Sequence, residues 1–224
     1  MPYSPEIALA LRHTFLPDVA ATYIIYLPSH PGSVAMAQRA FETCQQVDQP
    51  NPVLYPGFDG TGGSVQIPEH LSGESWPAWI KLYDERLTSQ QIGCAMSHFS
   101  LWANCMVVDR PIVILEHDSV MLRPYRRHRH PNTIGILGWQ QGHAPTTHLV
   151  NGGNWQFLGG THAYAIDPLV AHRLFAILLD RGFYAPSDIM VRLADVALIP
   201  EEGYAGVIKG ESTVPSDMQG GLFG

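Results

Sequence analysis

Apolar residues along the chain fall in short runs separated by glycine, proline and polar turns. Thr22-Tyr-Ile-Ile-Tyr-Leu27 is a β-branched and aromatic run halted by Pro28; Val53–Tyr55 and Pro111-Ile-Val-Ile-Leu115 are of the same kind. Further strand-length runs lie at Thr133–Leu137, Gln156–Leu158, His162–Ile166 and Val196–Ile199. Helical spacing lies between them. Ser33 is expected to cap a helix with Val34, Ala37, Phe41 and Cys44 on one stripe. A second helix is expected from Thr88 or Ser89 to about Val107, a third from Pro168 to about Asp180, and a short one capped by Ser187 through Ala194. Continuous apolar strands are typical of parallel sheets covered on both faces. The expectation is therefore one α/β domain over residues 1–224, with a mostly parallel sheet flanked by helices and long loops on one edge.

The helix from Ser89 is apolar on all sides: Ile92, Met96 and Phe99 share one face, and Cys94, Leu101 and Cys105 lie nearly opposite. Such a helix is buried. Ser97 and His98 then need hydrogen-bond partners, and both a satisfied core histidine and a site residue stay open.

Composition narrows the class. The chain is 46% apolar and 15% charged, against roughly 25% charged in an average domain, and contains 21 Gly and 18 Pro. That balance describes a loop-rich folded domain and excludes disorder. No apolar run reaches the ~18 residues of a membrane span, and the N-terminal residues lack the pattern of a secretory signal. Cys44, Cys94 and Cys105 form no CxxC pair, which points to a reducing compartment and an expected cytoplasmic location. A net charge of -7 disfavours non-specific nucleic-acid binding.

Several chemistries are absent from the sequence: there is no G-x-x-x-x-G-K-[ST], no G-x-G-x-x-G after the first strand, no G-x-S-x-G and no H-E-x-x-H. The strongest local signal is Ile112-Val-Ile-Leu-Glu-His-Asp118. Ligands in open α/β sheets bind outside the carboxyl ends of strands, and residues two apart on extended backbone point the same way. Glu116 and Asp118 would therefore present two carboxylates to one spot, a donor set suited to Mn²⁺ or Mg²⁺ holding a diphosphate. A solvated acidic turn is the alternative reading. Arg123-Pro-Tyr-Arg-Arg-His-Arg-His130 follows directly, so Arg126, Arg127 and Arg129 are expected to flank the mouth as anion or acceptor contacts. The alternative there is a solvated loop.

These residues resemble a known family. Leu87–Trp102, with its Gly93-Cys-x-x-Ser-His98 core, followed by a strand ending Glu116-His-Asp118, is similar to glycosyltransferase family 25, which includes lipopolysaccharide-type and procollagen galactosyltransferases. Phe58-Asp-Gly60 resembles the family's Asp-Gly turn, Gly160-Thr-His-Ala-Tyr164 its Gly-x-x-Ala-Tyr strand, and Pro186-Ser-Asp188 its Pro-x-Asp. Two features depart: the first strand ends Tyr26-Leu-Pro-Ser-His30 where the family has a segment like Asn-Leu-Asp-Arg-Ser, and His117 replaces the central acid of Glu-Asp-Asp.

The resemblance implies a glycosyltransferase A-type fold and transfer of a sugar, usually from a UDP-sugar, to a hydroxyl acceptor with inversion. It further implies a divalent metal on Asp118 and Glu116, with Glu116 also placed toward the ribose, and Asp188 as acceptor-side base. Ser97 and His98 would brace the diphosphate side, and Asp59 and Gly60 would shape the nucleotide pocket. An anionic glycan such as a lipopolysaccharide core is the favoured acceptor over nucleic acid. Acceptor contacts that longer relatives take from a C-terminal tail would be absent or come from another subunit. An inactive sugar-nucleotide-binding relative, a metal-dependent phosphohydrolase and a structural protein without a site remain as rival readings.

Overall fold

The computed structural model describes residues 18–71, 87–139, 162–182, 187–191 and 195–207. Seven strands form one sheet: β1 (Thr22–Tyr26), β2 (Pro52–Pro56), β3 (Ile112–Glu116), β4 (Ser119–Met121), β5 (Thr133–Trp139), β6 (Ala163–Ile166) and β7 (Ala197–Val207). The helices are α1 (Pro31–Gln46), α2 (Ser89–Val108), α3 (Pro168–Arg181) and the short α4 (Ser187–Met190).

The sheet order is β2-β1-β3-β6-β5-β7-β4. β2, β1 and β3 are mutually parallel, as expected, and β5 is parallel to β7. β6 runs antiparallel to both β3 and β5, and β4 antiparallel to β7, so the sheet is mixed rather than mostly parallel. The reason the pattern misled is plain in β6. All four of its residues are buried, so it carries the continuous apolar run of a parallel strand while running the other way. Only His117 and Asp118 separate β3 from β4, yet β4 stands at the far edge of the strand order. The three residue steps from Glu116 to Ser119 span about 11 Å at most, so the sheet must curl to bring that edge back beside the end of β3.

Helix boundaries follow local chemistry. Thr88 caps α2 and exchanges bonds with Gln91 in a capping box, and the helix ends at Asp109 in the left-handed conformation. α1 starts differently from expectation. His30 holds the N-cap position, Pro31 occupies the first turn, and Ser33 lies inside the helix, where its Oγ accepts a hydrogen bond from the Leu27 amide at 3.0 Å. The buried face of α1 is Ser33, Ala37, Ala40 and Cys44, and Val34 is exposed; small residues let this helix lie close on the sheet. Ser187 is the first residue of α4 rather than its cap. The run Gln156–Leu158 and residues 192–194 lie outside the described residues.

Two apolar clusters cover the sheet. One joins α2 and α3 to the faces of β3, β5 and β6, with Phe99 stacked on Phe175 at 4.5 Å; the other seats α1 over Ile24, Val113 and Leu115. Among the described residues no helix is long and apolar enough to cross a membrane.

The turn after β2 lies directly on the start of α2. A Cβ added at Gly60 would come within 1.9 Å of the Ser89 carbonyl oxygen, and one at Gly93 within 2.7 Å of the Phe58 carbonyl oxygen. Gly60→Ala is therefore expected to destabilise the fold by about 1–3 kcal/mol, the usual range for overpacking. Gly32→Ala, where a Cβ meets open space, should leave the thermal midpoint unchanged or raise it. Equal midpoints for the two variants would contradict the close approach.

Candidate active site

The carboxyl ends of β1, β2 and β3 and the start of antiparallel β6 converge on one cleft of about 140 Å³. Its apolar side is built by Ile25, Tyr26, Leu27 and Phe58. Its polar lining is Glu116, the strand neighbour of Ile25, with His117, Asp118 and His162, and α2 contributes Gln90, Cys94, Ser97 and His98. An apolar slot with a few converging polar groups at one end is the usual form of a small-molecule site.

Glu116 is the centre of the polar end. His98 Nε2 lies 3.2 Å from Glu116 Oε1, and His162 Nδ1 lies 3.6 Å from Glu116 Oε2 and 3.7 Å from Asp118 Oδ1. Burial alone would raise the Glu116 pKa; the two histidines outweigh it and hold the carboxyl well below its ordinary range. Burial would likewise lower His162, but Asp118 and Glu116 push it up to about 10.

Behind His98 the donors line up in one direction. Trp102 Nε1 is donor-only and gives to Tyr164 Oη at 2.9 Å; Tyr164 Oη lies 2.9 Å from His98 Nδ1. The carboxylate must accept from His98 Nε2, so in the neutral ring Nδ1 accepts from the tyrosine hydroxyl. Trp102, Tyr164, His98 and Glu116 thus form a relay of hydrogen bonds that fixes the carboxylate. His98 is fully buried, lines the cleft and meets Glu116 there.

Ser97 Oγ accepts from the Phe58 amide at 2.9 Å and donates to the Gly93 carbonyl at 2.8 Å, stapling the turn after β2 to α2. Gly60 lines the cleft, whereas Asp59 faces away into the turn. Asp59 accepts from the Ser29 hydroxyl and from both the amide and hydroxyl of Thr61, while His30 Nε2 lies 2.9 Å from Thr61 Oγ1. Burial opposes ionisation of Asp59, but these bonds and His30 hold its pKa low. Ser29 and His30, the residues that depart from the family pattern, are therefore the ones that clamp the β1–α1 turn to the Asp-Gly turn.

Asp188 lies in the backbone of α4, which packs on α2; the neighbouring Ser187 Oγ is 3.3 Å from Cys94 Sγ at the cleft wall. The side chain of Asp188 lies outside the described residues.

The basic segment is not at the mouth. β4 doubles back antiparallel to β7 and carries the chain to the amino ends of β1 and β2. There Val19 N donates to the Arg126 carbonyl at 2.8 Å, and the Tyr125 amide donates to Gln49 Oε1 at 2.7 Å. Arg126 pairs with Asp48 and Arg127 with Asp18. Arg126, Arg127 and Arg129 line a separate recess. Adjacency in sequence misled because β4, only three residues long, left no strand signal.

His162 was missed as a site residue. It precedes β6, and the antiparallel register that sets Ala163 opposite Leu115 sets His162 opposite Glu116, whose amide donates to the His162 carbonyl at 2.8 Å. Its only signal in sequence is its place just before the Ala-Tyr strand.

The family model described as Glycosyltransferase family 25 (LPS biosynthesis protein) matches residues 41–128. The match takes in the Asp-Gly turn, all of α2 and the acidic end of β3, so over that stretch the resemblance carried by those motifs is shown. No curated protein matches the chain.

A histidine with a raised folded-state pKa contributes stability that is fully present below its unfolded value and is lost as pH rises through the folded value. For His162 that window runs from 6.5 to about 10. Metal-free protein is expected to lose stability across it in denaturant melts, and His162→Gln to flatten the slope. An unchanged slope in the variant would contradict the ion-pair geometry.

Proposed function

We propose that the chain is a metal-assisted glycosyltransferase of the A-type fold that takes a sugar from a UDP-sugar and passes it, with inversion, to a hydroxyl acceptor. One observation carries the metal part. Asp118 Oδ1 and His162 Nδ1 are both buried and, among the described residues, lack a hydrogen-bond partner, and they face each other beside Glu116. Buried polar atoms without partners are uncommon, and two carboxylates with an imidazole nitrogen fit Mn²⁺ or a similar divalent ion. Glu116, Asp118 and His162 would hold it. A divalent ion bound there supplies positive charge to a diphosphate leaving group.

The remaining roles belong to the chain's own residues. Ile25, Tyr26, Leu27 and Phe58 offer the apolar wall for a nucleobase, and Gly60 and Thr61 border it. His98, fixed by Tyr164 and Trp102, keeps Glu116 ionised and oriented. Inversion requires a base on the face opposite the leaving group. Asp188 is proposed for it, supported by the Pro-x-Asp resemblance and by the position of α4 beside the cleft wall.

Asp118→Asn keeps the shape of the side chain and removes its charge. It should abolish UDP release from UDP-sugars while the protein stays folded; turnover at the parental rate would refute the metal assignment. Asp188→Asn should lower kcat by about 10²–10⁴-fold, the typical worth of a general base, with UDP affinity intact. Equal loss of rate and UDP affinity would move Asp188 to the donor site. Because a ligating imidazole must be deprotonated, Mn²⁺ binding is expected to release a proton from His162. Calorimetry in buffers of different ionisation enthalpy reads that proton, and its loss in His162→Gln separates a ligand from a bystander.

A further inference from the structure

The recess at the amino ends of the strands is a built feature that the transferase reading does not use. Arg126, Arg127, Arg129 and His130 ring it, and Tyr125 and Tyr204, both buried, form its floor. Four of the chain's 13 Lys and Arg fall within residues 123–129, in a molecule of net charge -7. The segment is held from below. Tyr125 Oη is 3.2 Å from the buried His128 and 3.3 Å from Glu201, and accepts from the Arg129 amide at 3.3 Å. His128 in turn lies 3.2 Å from the Thr133 carbonyl oxygen and 3.6 Å from Asp167. Arg123 and Arg129 lie over the Tyr204 ring, at 4.1 and 5.4 Å from its centre. Of these two, Arg129 lines the recess, and a guanidinium held by its face can still turn its in-plane N–H groups to an acceptor. The ion pairs of Arg126 with Asp48 and Arg127 with Asp18 join side chains that are all more than half exposed, and such pairs are worth about 0–1 kcal/mol. An anion entering the recess can displace them.

We propose that this recess is a binding site for the phosphate groups of a small phosphate ester, remote from the cleft that holds Glu116. Three planar five-donor forks lining one hollow match the oxygens of a phosphate ester. Concavity and rim charge select the ligand: Asp18 and Asp48 stand exposed beside the arginines. They repel a flat anionic membrane or a nucleic-acid backbone but leave room for a small phosphorylated group to reach past them. The site does not depend on what the cleft transfers, and UDP binding in the cleft is measured separately.

The test uses the full chain in EDTA, titrated with glucose 1,6-bisphosphate, with glucose, and with phosphatidylcholine vesicles containing phosphatidylglycerol. The bisphosphate should bind, glucose should not, and the affinity should fall several-fold as salt rises from about 50 to 200 mM. Arg126→Ser, Arg127→Ser and Arg129→Ser together should weaken the bisphosphate at least tenfold and leave Mn²⁺-dependent UDP binding as it was. Asp18→Asn with Asp48→Asn should tighten it, a gain that a purely structural role for the arginines does not yield, and this pair of changes keeps the test alive if the triple variant fails to fold. Bisphosphate affinity unchanged in both sets of variants, or vesicle binding stronger than bisphosphate binding, overturns the proposal.

Discussion

The cleft depends on one partly buried carboxylate held from two sides. Glu116 ends β3 and sits between His98 of α2 and His162 at the start of β6. Each contact comes from a different layer of the fold: the helix packed on one face of the sheet, and the antiparallel neighbour within it. Removing either would leave a partly buried charge short of a partner, which is costly. The relay from Trp102 through Tyr164 to His98 extends that constraint into the core, so the site and the packing of α2 against β3 and β6 are one arrangement.

The turn after β2 that borders the cleft is locked in the same manner. Gly60 and Gly93 permit backbone to lie on backbone, Ser97 staples the turn to α2, and Asp59 ties it to Ser29 and His30. A first-strand segment unlike the family pattern can therefore occupy this corner without loosening it. The chemistry changes from the expected residues to a serine and a histidine, while the mechanical task of joining the β1–α1 turn to the Asp-Gly turn is met.

Much of this was legible in sequence because burial and spacing are local. The all-round apolar character of α2 announced a buried helix, and the acid-x-acid end of β3 announced two carboxylates on one side. Strand direction was not legible: β6 is buried throughout, and a continuous apolar run carries no arrow. His162 was hidden for the same reason, since its closeness to Glu116 is a consequence of antiparallel register. The basic segment was misplaced because a three-residue strand, β4, turns the chain back to the opposite end of the sheet. Local pattern thus identified the residues, and pairing decided which of them meet.

The most direct test of the account is UDP binding to the unmodified protein by calorimetry, once in Mn²⁺ and once in EDTA. The arrangement of Glu116, Asp118 and His162 beside an apolar slot predicts saturable binding in Mn²⁺ and at least tenfold weaker binding in EDTA. Equal affinity in the two conditions, or no binding in either, would contradict it.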